Sequence, residues 1–131
     1  MQTTKTTQLQ NWGITLLRVV TGIIFLGAGV QNFFLQDSSE LPRLIVVVGS
    51  LVELTCGAAL VVGLFTRWVS MALALLMLAN ILAIHPPSGF LVGDAGFEHA
   101  LLRLAANAAL ALAGPGKAAL DNMVASRSGP K

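Results

Sequence analysis

Between Leu44 and Phe65 only Glu53 carries a charge. A lone carboxylate in an apolar run needs a partner, a proton or a ligand. At the centre of a bilayer an unpaired charge costs at least about 2.5–3.5 kcal/mol. Helical spacing groups the other polar residues into faces that could meet it. Arg18, Gly22, Phe25, Gly29 and Asn32 recur at three- and four-residue steps; so do Gly49, Glu53, Cys56, Gly57 and Leu60, and His99, Arg103 and Asn107 follow at four. Small residues mixed with polar ones suit helices packed closely around a polar interior.

Depth sorts these candidates. At about 1.5 Å per residue, Glu53 lies about 13 Å below an outer edge at Leu44, and Arg103 about 9 Å below Phe97. The long Arg103 side chain can close that difference. Arg18 enters from the opposite side, about 10 Å away in level. The expectation is a Glu53–Arg103 pair, with Asn107 or Asn80 completing its hydrogen bonds. Together with Arg18 these residues form a buried polar layer that either sets helix register or holds a ligand. Gly49 and Gly57, flanking Glu53, let a neighbouring helix come close.

A second group belongs to an outer mouth: Gln31, Asn32, His85, Asp94, Glu98 and His99. Such residues can donate protons or contact a polar head group. Span ends are ordinarily polar, and no tight ligand spacing points to a metal. Arg67 and Trp68 read as an inner interface anchor. Cys56, Met71 and Met77 read as packing residues.

Other chemistries are excluded by what this sequence lacks. One cysteine forms no internal disulfide, no CxxC redox pair and no iron–sulfur cluster. With two histidines added, the usual four-ligand zinc sets are still out of reach. There is no Rossmann glycine fingerprint and no basic run suited to nucleic acid. No cofactor is held by this chain alone, although its apolar faces suit a lipophilic ligand such as a quinone.

The elements that must position these residues follow from composition. Of 131 residues, 55% are hydrophobic and 11% charged, with a mean hydropathy of +0.77. Soluble domains carry roughly 25% charged residues, so the bilayer is the expected solvent. Four apolar segments, about 12–35, 42–65, 67–85 and 97–114, approach the roughly 17–25 residues a spanning helix needs. Pro86-Pro87 stops the third, and Gly114-Pro115-Gly116 the fourth. The fold class expected is all-α: a transmembrane four-helix bundle forming a single membrane domain over residues 1–131, with polar tails at 1–11 and 115–131. Arg18 within the first apolar stretch argues against a cleaved signal peptide. Lys5, Arg18, Arg67, Lys117, Arg127 and Lys131 collect on one side, which makes both termini cytoplasmic and the protein multi-pass in the cell membrane. No internal repeat supports an inverted-repeat transporter.

The order LLRVVTGIIFLGAGVQNFF, GSLVELTCGAALVVGLFTR, a histidine closing the third span, then GFEHALLRLAANAALALAGPGKAALD resembles the DoxX family of small bacterial and archaeal membrane proteins. The likeness runs from about Leu16 to Asp121. It rests on Arg18/Gly22/Phe25/Gly29, on Glu53 with Gly57, Gly63 and Arg67, on Glu98, and on the closing Gly114-Pro115-Gly116…Leu120-Asp121. The resemblance implies a four-helix bundle in the cytoplasmic membrane, with Arg18, Glu53, Arg67 and Glu98 as family-level charges. One branch includes a subunit of a thiosulfate:quinone oxidoreductase; another is linked to membrane-associated oxidative-stress complexes. The family's basic residue after the first span's glycines is here Gln31 or Asn32, and Arg103 and His99 stand where apolar residues are expected.

The leading expectation is a quinone-linked redox subunit or accessory component, with the redox centre on a partner subunit. The alternatives are a small proton-coupled transporter or channel, in which Glu53 exchanges protons for substrate, and a membrane assembly scaffold. Small-residue faces also allow a homo-oligomer; nucleic acid is not an expected partner.

Overall fold

The computed structural model describes residues 2–35, 42–84, 98–127 and 129, and those residues form five helices with no strand among them. They are α1 (Gln2–Leu35), α2 (Arg43–Val62), α3 (Thr66–Ile84), α4 (Glu98–Ala113) and a short α5 (Leu120–Arg127). The closest pairs are α1 with α2 and α3 with α4. Two boundaries differ from the sequence expectation. Helix α1 starts ten residues earlier than the apolar segment, since its Thr- and Gln-rich start continues the helix without needing an apolar face. The segment expected as a polar tail holds α5 and folds back on the bundle.

α1 has 34 residues and is about 51 Å long, while α2 has 20. Both are long and apolar enough to cross a membrane. Burial is inverted relative to a water-soluble domain. Thr15, Arg18, Thr21, Ser50, Glu53, Thr66, Ser70 and Asn107 are buried, while Leu16, Ile23, Phe34, Leu44, Trp68, Leu75, Leu82, Leu102 and Leu112 stand largely exposed. The apolar core is small: Phe25, Leu60, Leu73 and Met77, with Cys56 and Leu104 packed against it. Cys56 and Met77 are packing residues, as expected, whereas Met71 faces outward.

Close approach of α1 to α2 depends on glycine. A Cβ at Gly22 would come within 2.9 Å of the Gly57 carbonyl, and one at Gly57 within 3.0 Å of the Gly22 carbonyl. Gly49 plays no such part, because a Cβ there would meet nothing within 4 Å. The glycine across from α2 is instead Gly29 on α1, beside Ser50 and Leu54.

Three residues separate α2 from α3. Gly63 has φ 79° and ψ 43°, the left-handed conformation that ends a helix at little cost only for glycine. Its N–H donates to Leu60 O at 3.1 Å and Leu64 N–H to Ala59 O at 2.9 Å, a Schellman arrangement that satisfies α2's last carbonyls. So short a turn keeps α2 and α3 in contact.

Candidate functional site: two buried polar clusters

Polar side chains gather at two levels. In the upper cluster, Asn32 Nδ2 donates to Glu53 Oε2 at 3.0 Å. Glu53 is buried at 5% exposure, so this amide is its immediate partner. Arg103 lies within electrostatic range of Glu53 but forms no ion pair with it. The guanidinium stands instead over the Phe25 ring, 5.8 Å from its centroid, a cation–π contact.

The expected Glu53–Arg103 pair is therefore corrected to an Asn32–Glu53 hydrogen bond with Arg103 nearby. Helix phase is the reason: Asn32 lies on the α1 face that packs on α2, whereas Arg103 comes from α4 and meets α1 first. Asn32 accordingly leaves the outer-mouth group. Asn107 does not reach Glu53 either. Its Nδ2 donates to Arg103 O at 2.8 Å, one turn back in its own helix. The Oδ1 atoms of Asn107 and Asn80 are buried with no hydrogen-bond partner. Of the remaining outer-mouth residues, Gln31, Glu98 and His99 are exposed near helix ends. His85 and Asp94 lie outside the described residues. Among the described residues no group of three His, Cys, Asp or Glu side chains is placed to hold a metal.

The lower cluster is where Arg18 goes. At 2% exposure it belongs to a junction of α1, the α2–α3 turn and the segment after α4, not to the layer around Glu53. Arg18 Nη2 donates to the Ala118 carbonyl, and Nη1 occupies the space a Cβ on Gly63 would need. Nε and Nη1 have no hydrogen-bond partner.

Asp121 ties the junction together. Its Oδ1 accepts from Phe65 N–H at 2.6 Å and its Oδ2 from Thr66 N–H at 2.9 Å, capping α3 from a distant part of the chain. In return Asp121 N–H donates to Gly63 O at 3.0 Å. Phe65 has φ 49°, an unfavourable value for a bulky residue, and this carboxylate holds it there. Thr15 supports the same segment: its Oγ1 donates to Asn11 O at 2.9 Å and accepts from Lys117 N–H at 3.1 Å. Arg67 is exposed, with its guanidinium over Gly114 at the edge of the same junction.

Asp121 is the residue whose role sequence reasoning missed. Its position in the closing motif was visible, but capping across the fold leaves no local spacing signal.

The sequence profile described as DoxX matches residues 13–86, which run from α1 through α3. "Putative oxidoreductase CatD" of Bacillus subtilis (strain 168) is 34% identical over 119 residues, covering 86% of this chain and 87% of that protein. No solved structure matches. With the profile covering more than half the chain, and that relative aligning along most of both lengths, this protein belongs to the DoxX family.

Proposed function

We propose that the chain is a multi-pass protein of the cytoplasmic membrane, with α1 to α4 as spans and both termini on the cytoplasmic side. In this reading it binds the head of a lipophilic quinone at the Glu53 cluster, as a quinone-linked subunit or accessory component of an oxidoreductase. The observation that carries it is the inverted burial: a carboxylate, amides and a guanidinium inside, bare Leu, Ile, Val and Phe outside. An apolar exterior is stable in lipid, and ionisable residues kept inside a bundle in lipid mark a functional site by default. Similarity to a relative that bears the name "Putative oxidoreductase CatD" supports the redox part.

The residues present fit such a head group. Arg103 is not consumed by an ion pair, so its N–H groups can donate to a carbonyl oxygen. The Asn80 and Asn107 Oδ1 atoms, lacking partners, can accept from a hydroxyl. Glu53, held by one hydrogen bond from the Asn32 amide, can release or take a proton without breaking a salt bridge. When bound, a quinone supplies two-electron, two-proton chemistry; the electrons come from a redox centre on a partner chain.

The test is the quinone content of protein purified from membranes, measured by extraction and chromatography. Wild type should retain near-stoichiometric quinone, and Glu53→Gln or Arg103→Gln should lower retention at least roughly tenfold. Equal retention in all three would overturn the assignment. A second reading, proton-coupled export of a cation, is favoured by one feature: Arg103 does not neutralise Glu53 by direct contact. Proton-driven efflux from proteoliposomes that Glu53→Gln abolishes would select it over the first.

A further inference from the structure

The lower cluster is not used by that function, yet it contains the more expensive group. A guanidinium stays charged at any physiological pH and carries five N–H donors. Arg18 is 98% buried by its 2% exposure, and it gives one of those donors to a neutral carbonyl, Ala118 O. Nε and Nη1 are left without acceptors.

The obvious counter-ion is already committed. Both Asp121 oxygens accept backbone N–H groups at the start of α3, and Arg18 makes no hydrogen bond to them, so the carboxylate acts on Arg18 only through space. Arg67 over Gly114 and Lys117 on the same segment add two further cations. Among the described residues the junction thus holds Arg18, Arg67 and Lys117 against the carboxylate of Asp121.

Two observations identify the level of this excess charge. Lys117 Nζ stands 5.9 Å from the centroid of the Trp12 ring, and Trp68, next to Arg67, is 72% exposed. Tryptophans with basic neighbours mark the depth of lipid head groups. Lys117 also lines an open groove of about 450 Å³, together with the apolar Val62, Leu120 and Met123 and the polar Asn122 and Ser126. Ala118 and Ala119 form the wall between groove and Arg18.

We infer that this junction is a binding site for the head group of an anionic phospholipid, with Arg18 as the principal ligand of its phosphodiester. An oxyanion offering two acceptors satisfies a guanidinium better than one carbonyl does, since charge-assisted, forked hydrogen bonds are the strong ones. The lipid enters through the groove and takes the place of the Ala118 carbonyl. Lys117 supplies a second charge, and Leu120 with Met123 contacts the start of the acyl chains. The inference shares with the proposed function only the placement in a membrane; it does not depend on quinone chemistry or on Glu53.

Native mass spectrometry of the full chain in neutral detergent tests it, with dioleoyl phosphatidylglycerol and dioleoyl phosphatidylcholine titrated separately. One phosphatidylglycerol should bind roughly tenfold more tightly than phosphatidylcholine, and Arg18→Gln should remove that preference. Arg127→Gln, which removes the same charge at the exposed end of α5, should change affinity less than about twofold. Arg18→Lys, should Arg18→Gln fail to fold, keeps the charge and loses the fork, and the preference should fall at least threefold. Equal binding of the two lipids, or a folded Arg18 variant with undiminished preference, would overturn the site. Displacement of the lipid by millimolar inorganic phosphate would overturn the lipid assignment in favour of a free-anion site. Glu53→Gln should leave the lipid preference intact, which separates failure here from failure of the quinone reading.

Discussion

The two polar clusters bury charge in opposite ways. Around Glu53 the charge is weakly held: one amide hydrogen bond from Asn32, and a cation that has settled on an aromatic ring rather than on the carboxylate. Around Arg18 and Asp121 the charges organise backbone: a carbonyl of the closing segment, two amides at the start of α3, and the turn after α2. The first arrangement can exchange its partner for a ligand or a proton without unmaking the fold. In the second, the polar groups also end or join helices, so removing a side chain disturbs several elements, and what is left for a ligand is the set of donors that Arg18 does not use. The difference teaches that depth and charge alone do not identify a chemical site; what the charge is bonded to does.

Substitutions can break or sharpen this contrast. The largest effect is expected at Gly63. Alanine there must adopt φ 79° and push Arg18 out of its notch, and loss of about 3 kcal/mol should lower the midpoint of thermal unfolding in detergent markedly. Asp121→Ala comes next. It leaves the Phe65 and Thr66 amides uncapped and the positive φ of Phe65 unsupported, for about 2 kcal/mol. An unchanged melting curve for Asp121→Ala would show that water replaces the cap and that the lower cluster is not structural.

The upper cluster should respond differently. Asn32→Ala and Glu53→Gln should each cost less than about 1 kcal/mol, because one hydrogen bond is altered and no helix end depends on it. Their mark should be on ligand retention. A Glu53→Gln variant as destabilised as Asp121→Ala would erase the distinction drawn between the clusters. The smallest effect belongs to Gly49→Ala. With open space around the new methyl and a gain in helix propensity, stability should stay level or rise by about 0.5 kcal/mol. A clear loss in that variant would place a partner, or a second copy of the chain, against this face.

Much of the fold was legible because hydropathy and helix-ending residues are local properties. Apolar runs located the cores of α1 to α4, and Pro86-Pro87 and Gly114-Pro115-Gly116 bounded the expected ends of α3 and α4. The start of α1 was not legible, since Thr and Gln neither forbid nor demand a helix. Nor was α5, whose eight residues have no distinct apolar face to announce it. Within the site, the residues Glu53, Arg18 and Arg103 stood out by charge alone. Their partners did not: the depth estimate set Arg103 against Glu53, and the side chain stands over Phe25 instead.

By itself, then, the sequence determined that this chain is helical and inverted in polarity, which charges lie inside it, and which family it belongs to. These properties depend on composition and on spacing along one helix. Tertiary structure alone decided that Asn32 answers Glu53, that Arg18 leaves two of its three nitrogens unanswered, and that Asp121 caps a helix begun more than fifty residues earlier. Hydrogen bonds between helices depend on their relative rotation and level to within about 1 Å, and no periodicity within a single helix encodes that.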